Sequence, residues 1–161
     1  MKNLVISANI KVYDFSELGE VEKKLVELAQ EATKRAYAPY SKFQVGAAVL
    51  LENGEILTGT NQENAAYPSG LCAERTTLFY ANSQYPDVAC EILVIAAFTD
   101  GDFLSEVLAP CGACRQVILE SEERGGKPMR ILLTSKDTVY EVASIRDLLP
   151  LCFDKSSLGN K

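Results

Sequence analysis

Apolar side chains recur every three or four positions between Ser16 and Ala36, and charged residues fill the positions between them. This spacing places the apolar residues on one side of a helix with 3.6 residues per turn, so it predicts an amphipathic helix over 16–36. Ser16 is a suitable N-cap, and Pro39 prevents the helix from continuing. The apolar stripe consists of Val21, Leu25, Leu28, Ala29, Ala32 and Ala36.

Two short apolar runs follow this helix. They are Val45–Leu51 and Ile56–Thr60, and the segment between them contains Asn53-Gly54. Asn-Gly readily adopts the positive φ angles of a tight hairpin turn. The pattern therefore predicts two antiparallel strands joined by a hairpin.

The next part of the chain places a strand between two helices. The segment from Ile92 to Phe98 is continuously apolar, which is typical of a strand buried on both faces. A helix is predicted before it, from Cys72 to about Ser83, and Pro86 lies beyond its end. A second helix is predicted after it, from about Gly112 to Arg124, and Gly125-Gly126 closes it.

The remaining pattern predicts strands over Arg130–Thr134 and about Val139–Val142, then a short helix over Ser144–Leu149 before Pro150. The first fifteen residues can add a strand, whose position in the sheet does not follow from the sequence. This order of elements predicts an α/β domain whose sheet combines an antiparallel hairpin with crossover units.

Composition and charge narrow the class of protein. The chain has 161 residues, of which 47% are hydrophobic, and this suits one domain with a packed core. Its formal net charge of -6 repels phosphate backbones, which disfavours polynucleotide binding. Asn9 and Lys11 interrupt the N-terminal apolar run, and no stretch reaches the length of a membrane span. We expect a cytoplasmic protein without membrane partners.

The five cysteines and the absence of histidine limit the possible chemistry. A secreted disulfide scaffold usually carries an even and denser set of cysteines, so reduced thiols or metal ligands are expected. Without histidine the chain cannot form a Ser-His-Asp or Cys-His catalytic site, nor a metal site with histidine ligands. Any chemistry must use the remaining polar side chains or a bound ion.

A metal site is one interpretation of Cys111 and Cys114, which form a C-x-x-C pair. Half of a structural zinc site, a redox dithiol and chance also explain such a pair. Cys72 adds a third thiol, and three protein ligands with an open fourth position are typical of catalytic zinc. We expect Cys90 and Cys152 to be small apolar core residues instead of ligands.

Glu74 and Arg75 lie beside the first of these cysteines. Three thiolates would give a Zn²⁺ site a net charge of -1, and helix N-termini together with Arg75 could offset it. A carboxylate at Glu74 could accept a proton from a metal-activated water. Considered singly, Glu74 could instead be a solvated first-turn glutamate and Arg75 a partner in a surface ion pair.

Several motifs in one order resemble the cytidine deaminase family. They are C-A-E at 72–74, P-C-G-A-C-R-Q at 110–116, YAPYSKFQVGAAVL at 37–50, N-Q-E-N-A-A-Y at 61–67 and L-L-P at 148–150. The resemblance implies a three-layer α/β/α domain with a mixed five-stranded sheet, bound Zn²⁺ and a homotetramer. It divides the chain into an N-terminal extension, 1–15, a cytidine deaminase-like catalytic domain, 16–155, and a mobile tail, 156–161.

The resemblance also implies roles for individual residues. Cys72, Cys111 and Cys114 would bind zinc, Glu74 would shuttle protons and Arg75 would support the thiolates. The substrate would contact Phe43 at the base, Asn61 and Glu63 at the ribose 3′-hydroxyl, the backbone N–H of Ala73 at the pyrimidine, and Tyr67 and Phe153 across subunit boundaries. Two departures occur: Ala109 replaces a common serine, and Leu151-Cys152 stand where a small pair is common.

The activity implied by the resemblance is hydrolysis of cytidine and 2′-deoxycytidine to uridine and 2′-deoxyuridine with release of ammonia, as in pyrimidine salvage. Glu74 would carry a proton first to ring N3 and then to the departing amine. Three alternatives stay open: a cytosine-bearing antibiotic of the blasticidin type as substrate, polynucleotide editing, and a noncatalytic zinc-stabilised binding module. Glu74 and the missing fourth ligand argue against the last of these.

Overall fold

The computed structural model describes residues 1–159, which form three α-helices and seven strands. The helices are α1, Glu20–Thr33; α2, Ala73–Gln84; and α3, Gly112–Gly125. The strands are β1, Ile10–Asp14; β2, Gln44–Leu51; β3, Ile56–Thr60; β4, Cys90–Thr99; β5, Asp102–Phe103; β6, Arg130–Thr134; and β7, Thr138–Val142.

All seven strands belong to one sheet with the order β1-β7-β6-β4-β2-β3, and β5 pairs with β4. Strands β4 and β6 are parallel, and the connection between them contains α3. The other strand pairs are antiparallel. The sheet is therefore mixed, as the sequence predicted.

The helices lie on opposite faces of this sheet. On one face, Leu25 and Ala29 of α1 belong to a core cluster with Ala48 and Val94. On the other face, residues of α2 and α3 form a second cluster with the strands, and Leu78, Ile118, Ile95 and Ile131 are among its fully buried members. These two cores confirm the predicted three-layer α/β/α arrangement.

The sheet has seven strands over the described residues instead of the predicted five. One addition, β1, lies in the N-terminal extension and pairs with β7 from Ile10 opposite Val142 to Asp14 opposite Thr138. The other, β5, has two residues and follows a turn in which Asp100 and Gly101 have positive φ. A strand this short carries no periodic pattern, so the sequence could not predict it.

The prediction that Ser16 caps the first helix is wrong. Residues Phe15–Glu17 form a separate 3-10 turn, because the Asp14 backbone N–H donates to Glu17 Oε2 at 2.8 Å. The α-helix begins at Glu20 with Gly19 as N-cap, and it ends at Thr33, before the predicted Ala36.

The last predicted helix is also shorter than expected. Over Ser144–Leu149 the structure has only a 3-10 turn, Ile145–Asp147, and Ser144 caps it by accepting from the Arg146 N–H at 3.2 Å. Part of the predicted tail, 156–161, lies in another 3-10 turn, Lys155–Leu158, while 160–161 lie outside the described residues. Across residues 1–159, no helix combines the length and apolar character needed to cross a membrane.

Candidate functional site

Two helix N-termini bring three cysteines together. Cys72 is the N-cap of α2, Cys111 is the N-cap of α3, and Cys114 lies in the first turn of α3. Their three Sγ atoms all lie within 4.8 Å of one another, and Cys72 Sγ is 3.8 Å from Cys111 Sγ. The unpaired N–H groups of both helix starts therefore face one cluster of sulfur atoms.

The geometry of this cluster fits zinc. Thiolates about 2.3 Å from a tetrahedral zinc ion lie roughly 3.8 Å apart, whereas a disulfide requires about 2.05 Å. The distance between Cys72 and Cys111 agrees with the first value. Within residues 1–159 this is the only group of three or more His, Cys, Asp or Glu side chains placed to hold an ion. Three thiol ligands leave a fourth position for another ligand.

The thiols of Cys72 and Cys114 differ in how readily they lose a proton. Hydrogen bonds from Cys114 and Arg75 lower the pKa of the Cys72 thiol to about 5, despite partial burial. The hydrogen bond shared with Cys72, together with burial, raises the pKa of the Cys114 thiol. Of these two thiols, Cys72 is the one favoured to lose its proton, and a thiolate is the form that binds a metal ion.

Arg75 lies one helical turn from Cys72, and its Nη2 is 3.5 Å from the Cys72 sulfur. The interaction with Cys72 also raises the pKa of the guanidinium. Its Nε is buried without a hydrogen-bond partner among the described residues. The structure thus places a fixed positive charge against the thiolate cluster, where the sequence predicted one.

Glu74 lies in the first turn of α2 between Cys72 and the core, and only 4% of its surface is exposed. Burial raises the pKa of its carboxyl, and the nearby Cys72 thiolate raises it further. A carboxyl group whose pKa is raised above its ordinary value holds a proton more readily, which suits a group that both accepts and donates one.

A cleft of about 490 Å³ opens beside the cysteine cluster. Its wall includes Cys72 and Arg75 together with three predicted substrate contacts, Asn61, Glu63 and Tyr67. The remaining lining residues are Tyr40, Ser41, Gln62, Asn64, Gly70 and Leu71. A bound molecule in this cleft would therefore lie directly beside the candidate metal ligands.

Glu63 is held in an ionised state at the mouth of the cleft. Its carboxylate accepts hydrogen bonds from the Ser41 hydroxyl, from the Tyr40 N–H at 2.9 Å and from the Ser41 N–H at 3.2 Å. These bonds, led by that of the Ser41 hydroxyl, lower the pKa of Glu63. Sequence reasoning assigned no role to Tyr40 or Ser41, although both lie within the motif at 37–50.

Asn61 is oriented by the backbone at the start of β2. Its Oδ1 accepts from the Val45 N–H at 2.8 Å, and its Nδ2 donates to the Phe43 carbonyl at 2.8 Å. One N–H and one lone pair of the amide stay available for a ligand. The side chain is therefore fixed before any ligand arrives.

Other predicted contacts lie outside the cleft wall. Phe43 packs against the core cluster shared with α2 and α3, and Ala73 is fully buried. Phe153 is 60% exposed, whereas Tyr67 lines the cleft and is 76% exposed. Within one chain, the structure thus groups Asn61, Glu63 and Tyr67 with the cysteines but leaves Phe153 apart.

The two remaining cysteines are not part of the cluster. Cys90 is buried in the core, as predicted. Cys152 is only partly buried, and its sulfur accepts a hydrogen bond from Arg146 Nη1 at 3.0 Å. Cys152 also packs against the core cluster, as expected, but its bond to a polar group was not anticipated.

Residues 20–125 match a family model described as the cytidine and deoxycytidylate deaminase zinc-binding region. The chain is 42% identical over 140 residues to a cytidine deaminase from Sporosarcina psychrophila, covering 87% of this chain and 96% of the relative. It is 45% identical over 136 residues to a cytidine deaminase from Halalkalibacterium halodurans, covering 84% and 96% respectively.

A solved structure agrees with these sequence matches. The crystal structure of cytidine deaminase from Burkholderia pseudomallei aligns with a TM-score of 0.67 and 39% identity, covering 81% of this chain and 98% of that one. The matched family region contains all three clustered cysteines and Glu74. The chain therefore belongs to the cytidine deaminase family of enzymes.

Proposed function

We propose that this protein is a zinc-dependent hydrolase that converts cytidine and 2′-deoxycytidine to uridine and 2′-deoxyuridine, with release of ammonia. The observation that carries the proposal is the cluster of Cys72, Cys111 and Cys114 with the buried Glu74 beside it. Relatives named cytidine deaminases, which match most of the chain, support the same reaction. Such a reaction belongs to pyrimidine salvage in the cytoplasm.

Cys72, Cys111 and Cys114 would hold the zinc ion. When bound, the ion would supply Lewis-acid activation of a water molecule. Glu74 would take a proton from this water and deliver it to ring N3, and a second transfer would protonate the departing amine. A C4–O bond forms and the C4–N4 bond breaks, so water and cytidine give uridine and ammonia. The raised pKa of Glu74 supports its use in both directions.

Cleft residues would orient the nucleoside. The ionised Glu63 and the fixed Asn61 would accept and donate hydrogen bonds at the ribose 3′-hydroxyl, while Phe43 and the Ala73 N–H would contact the base. Among the described residues that line the cleft, Arg75 is the only cationic one, and it is already bonded to Cys72. Because residues 1–159 supply no second cation to the cleft wall and the chain has a net charge of -6, an uncharged nucleoside is favoured over a polynucleotide.

A second copy of the chain would complete each site. The aromatic rings of Tyr67 and Phe153 are 76% and 60% exposed in one chain, an unfavourable state for large apolar groups. Tyr67 contacts Tyr40 edge to face, with ring centroids 6.1 Å apart, at the rim of the cleft. Homotetramer formation would cover these rings, and light scattering after gel filtration would measure the assembly.

One spectrophotometric experiment tests the activity. Zinc-loaded protein is mixed with cytidine, 2′-deoxycytidine or a cytosine-bearing antibiotic, and the change in ultraviolet absorbance is followed. We expect turnover of both nucleosides and little turnover of the antibiotic. Unchanged cytidine absorbance, with zinc bound at one ion per chain, would rule out the proposed substrate. Zinc content and single-stranded RNA binding at low salt are measured on the same preparation.

A further inference from the structure

The segment 148–155, here called the C-terminal arm, is tied to α3 through its backbone. Arg115 Nη1 donates to the Leu148 carbonyl at 2.6 Å, and Gln116 Nε2 donates to the Phe153 carbonyl at 2.7 Å. Arg115 Nε also donates to the Pro110 carbonyl at 2.9 Å, immediately before Cys111. The helix that carries two candidate zinc ligands therefore also sets the position of the arm.

Arg146 joins the arm to α3 a second time. Its Nη2 lies 2.7 Å from a carboxylate oxygen of Glu123 on α3 and 3.2 Å from one of Asp154 in the arm. Its Nη1 donates to Cys152 Sγ at 3.0 Å. The hydrogen bonds from Arg146 lower the pKa of Glu123 and add to the effect of Ser156 in lowering that of Asp154, so both carboxyls are ionised at neutral pH.

These contacts fall on both sides of one aromatic residue. Arg146 holds Cys152 and Asp154, and Gln116 holds the carbonyl of Phe153 between them. The Phe153 ring itself is 60% exposed. A fixed backbone that carries an exposed ring is the arrangement needed to insert an aromatic group into a partner at low entropic cost. Cys152, which departs from the small residues common at this position, supplies one of the three contacts.

We infer that Arg146 is a positioning residue: by holding the side chains of Cys152 and Asp154, on either side of Phe153, it presents this ring to the cleft of a second copy of the chain. The inference rests on the proposed function. Arg146 touches neither the cleft nor the cysteine cluster of its own chain. Its effect on catalysis passes through Phe153, so loss of Arg146 changes substrate binding more than the chemical step.

The first test needs no substrate. The chain contains no tryptophan, so a Phe153→Trp variant carries a single indole at the tip of the arm. We expect Arg146→Ala in this background to lower the fluorescence anisotropy of the indole. Lys127→Ala is the matched control, because Lys127 also bridges two carboxylates, those of Glu52 and Glu91, away from the arm. Equal anisotropy with and without Arg146 would overturn the inference.

The second test is a double-mutant cycle with cytidine. We expect Arg146→Ala to raise KM about five-fold with a smaller change in kcat, as for loss of a small ion-pair network. In a Phe153→Ala background the same change should have almost no further effect, because the ring it positions is gone. Arg146→Lys should fall between wild type and Arg146→Ala, since one ammonium cannot span all three partners.

Additive effects of Arg146→Ala and Phe153→Ala would show that Arg146 acts on general stability instead of on Phe153. Failure of the inference differs from failure of the proposed function. If the zinc-loaded wild type leaves cytidine unchanged, the substrate assignment fails, and the anisotropy experiment still decides whether Arg146 fixes the arm.

Discussion

The guanidinium of Arg75 lies 3.5 Å from the sulfur of Cys72, one helical turn earlier on α2. This contact puts a permanent positive charge beside a cluster of three thiols that has no histidine to reduce its negative charge. The N-termini of α2 and α3 add their partial positive charges from the same side. Charge compensation at this site therefore comes from one side chain and two helix starts.

Replacement of Arg75 tests this compensation. We expect Arg75→Ala to weaken zinc binding by about 10-fold to 100-fold, the usual effect of losing a group that supports a metal ligand. Arg75→Lys keeps the charge and should recover part of the affinity. Competition with a chromophoric chelator at fixed pH measures the change. Arg124→Ala serves as control, because Arg124 donates its hydrogen bonds to the backbone carbonyls of Asn82 and Pro86 and not to a clustered thiol. Wild-type zinc affinity in Arg75→Ala would refute the charge argument.

Replacement of Glu74 tests proton transfer separately from metal binding. A Glu74→Gln variant keeps the size of the side chain but cannot carry a proton, so we expect bound zinc and a loss of about 10²-fold to 10⁴-fold in kcat. Metal analysis and the cytidine assay on one preparation check both parts. Activity that survives at the wild-type level would exclude Glu74 as the proton carrier.

Removal of the Cys72 thiol and removal of the Cys90 thiol should affect zinc binding differently. Cys72→Ala removes one of three clustered sulfurs and should abolish stable zinc binding. Cys90→Ala removes a buried thiol from the core and should keep one zinc per chain while lowering the free energy of unfolding slightly. Metal content after dialysis distinguishes the two. Loss of zinc from Cys90→Ala in a folded protein would contradict the assignment of ligands.

The sequence indicated three candidate zinc ligands because Cys111 and Cys114 form a C-x-x-C pair and Cys72 adds a third thiol, which is the ligand number typical of catalytic zinc. It could not predict that Cys72 and Cys111, 39 residues apart, lie within 3.8 Å, since this depends on how α2 and α3 pack on the sheet. The proximity of these two cysteines was instead expected from the resemblance to the cytidine deaminase family. The Ser41–Glu63 contact also joins two distant loops, so no local pattern reveals it.

Strands were predicted together with their bounds where the apolar pattern is long, whereas a strand in the first fifteen residues was expected without a position in the sheet. Strand β4 has ten residues and was recognised from its apolar run. Strand β1 depends on pairing with β7 and on the ion pair between Lys11 and Glu141, neither of which is visible in five mostly exposed residues. Ser16 does not cap the helix, because it lies within the 3-10 turn Phe15–Glu17. In this turn the Glu17 carboxylate accepts a hydrogen bond from the Asp14 N–H.

Gly59 determines how closely α2 approaches the sheet. A Cβ at this position would lie 2.8 Å from the Thr77 backbone nitrogen and would also meet the Thr77 hydroxyl. We expect Gly59→Ala to push α2 outward and to lower the free energy of unfolding by about 1–3 kcal/mol, the range for overpacking. Zinc affinity should fall as well, because α2 carries Cys72 at its start.

Urea denaturation and a zinc titration measure these two effects. Gly112→Ala is the control, since a Cβ there meets no described atom within 4 Å beyond its chain neighbours and the backbone of α3. Its stability should match that of the wild type or exceed it slightly. If Gly59→Ala were as stable as Gly112→Ala, the close approach of α2 to β3 would not limit the size of the side chain at position 59.

Glu141 should make stability depend on pH. Its side chain is 5% exposed on β7 and lies 2.6 Å from Arg130 Nη2 and 3.1 Å from Lys11 Nζ. Burial acts to raise the pKa of this carboxyl, but the hydrogen bonds from Arg130 and Lys11 outweigh burial and leave the pKa below its ordinary value of 4.5. A lowered pKa in the folded state means that the ionised carboxylate stabilises the fold above pH 4.5. This stabilisation disappears as the pH falls through the lowered value.

A Glu141→Gln variant isolates this contribution. At pH 7 we expect its free energy of unfolding to be about 1–3 kcal/mol below that of the wild type, the range for hydrogen bonds to a charged group. The difference should begin to shrink below pH 4.5 and should vanish once the pH is below the lowered pKa of the folded carboxyl, where the wild-type group is protonated and resembles the amide. Urea denaturation at several pH values measures it, and Glu52→Gln, at an exposed pair with Lys127, should change stability little at any pH. A difference for Glu141→Gln that stays constant between pH 7 and pH 3 would mean that its charge does not stabilise the docking of β1.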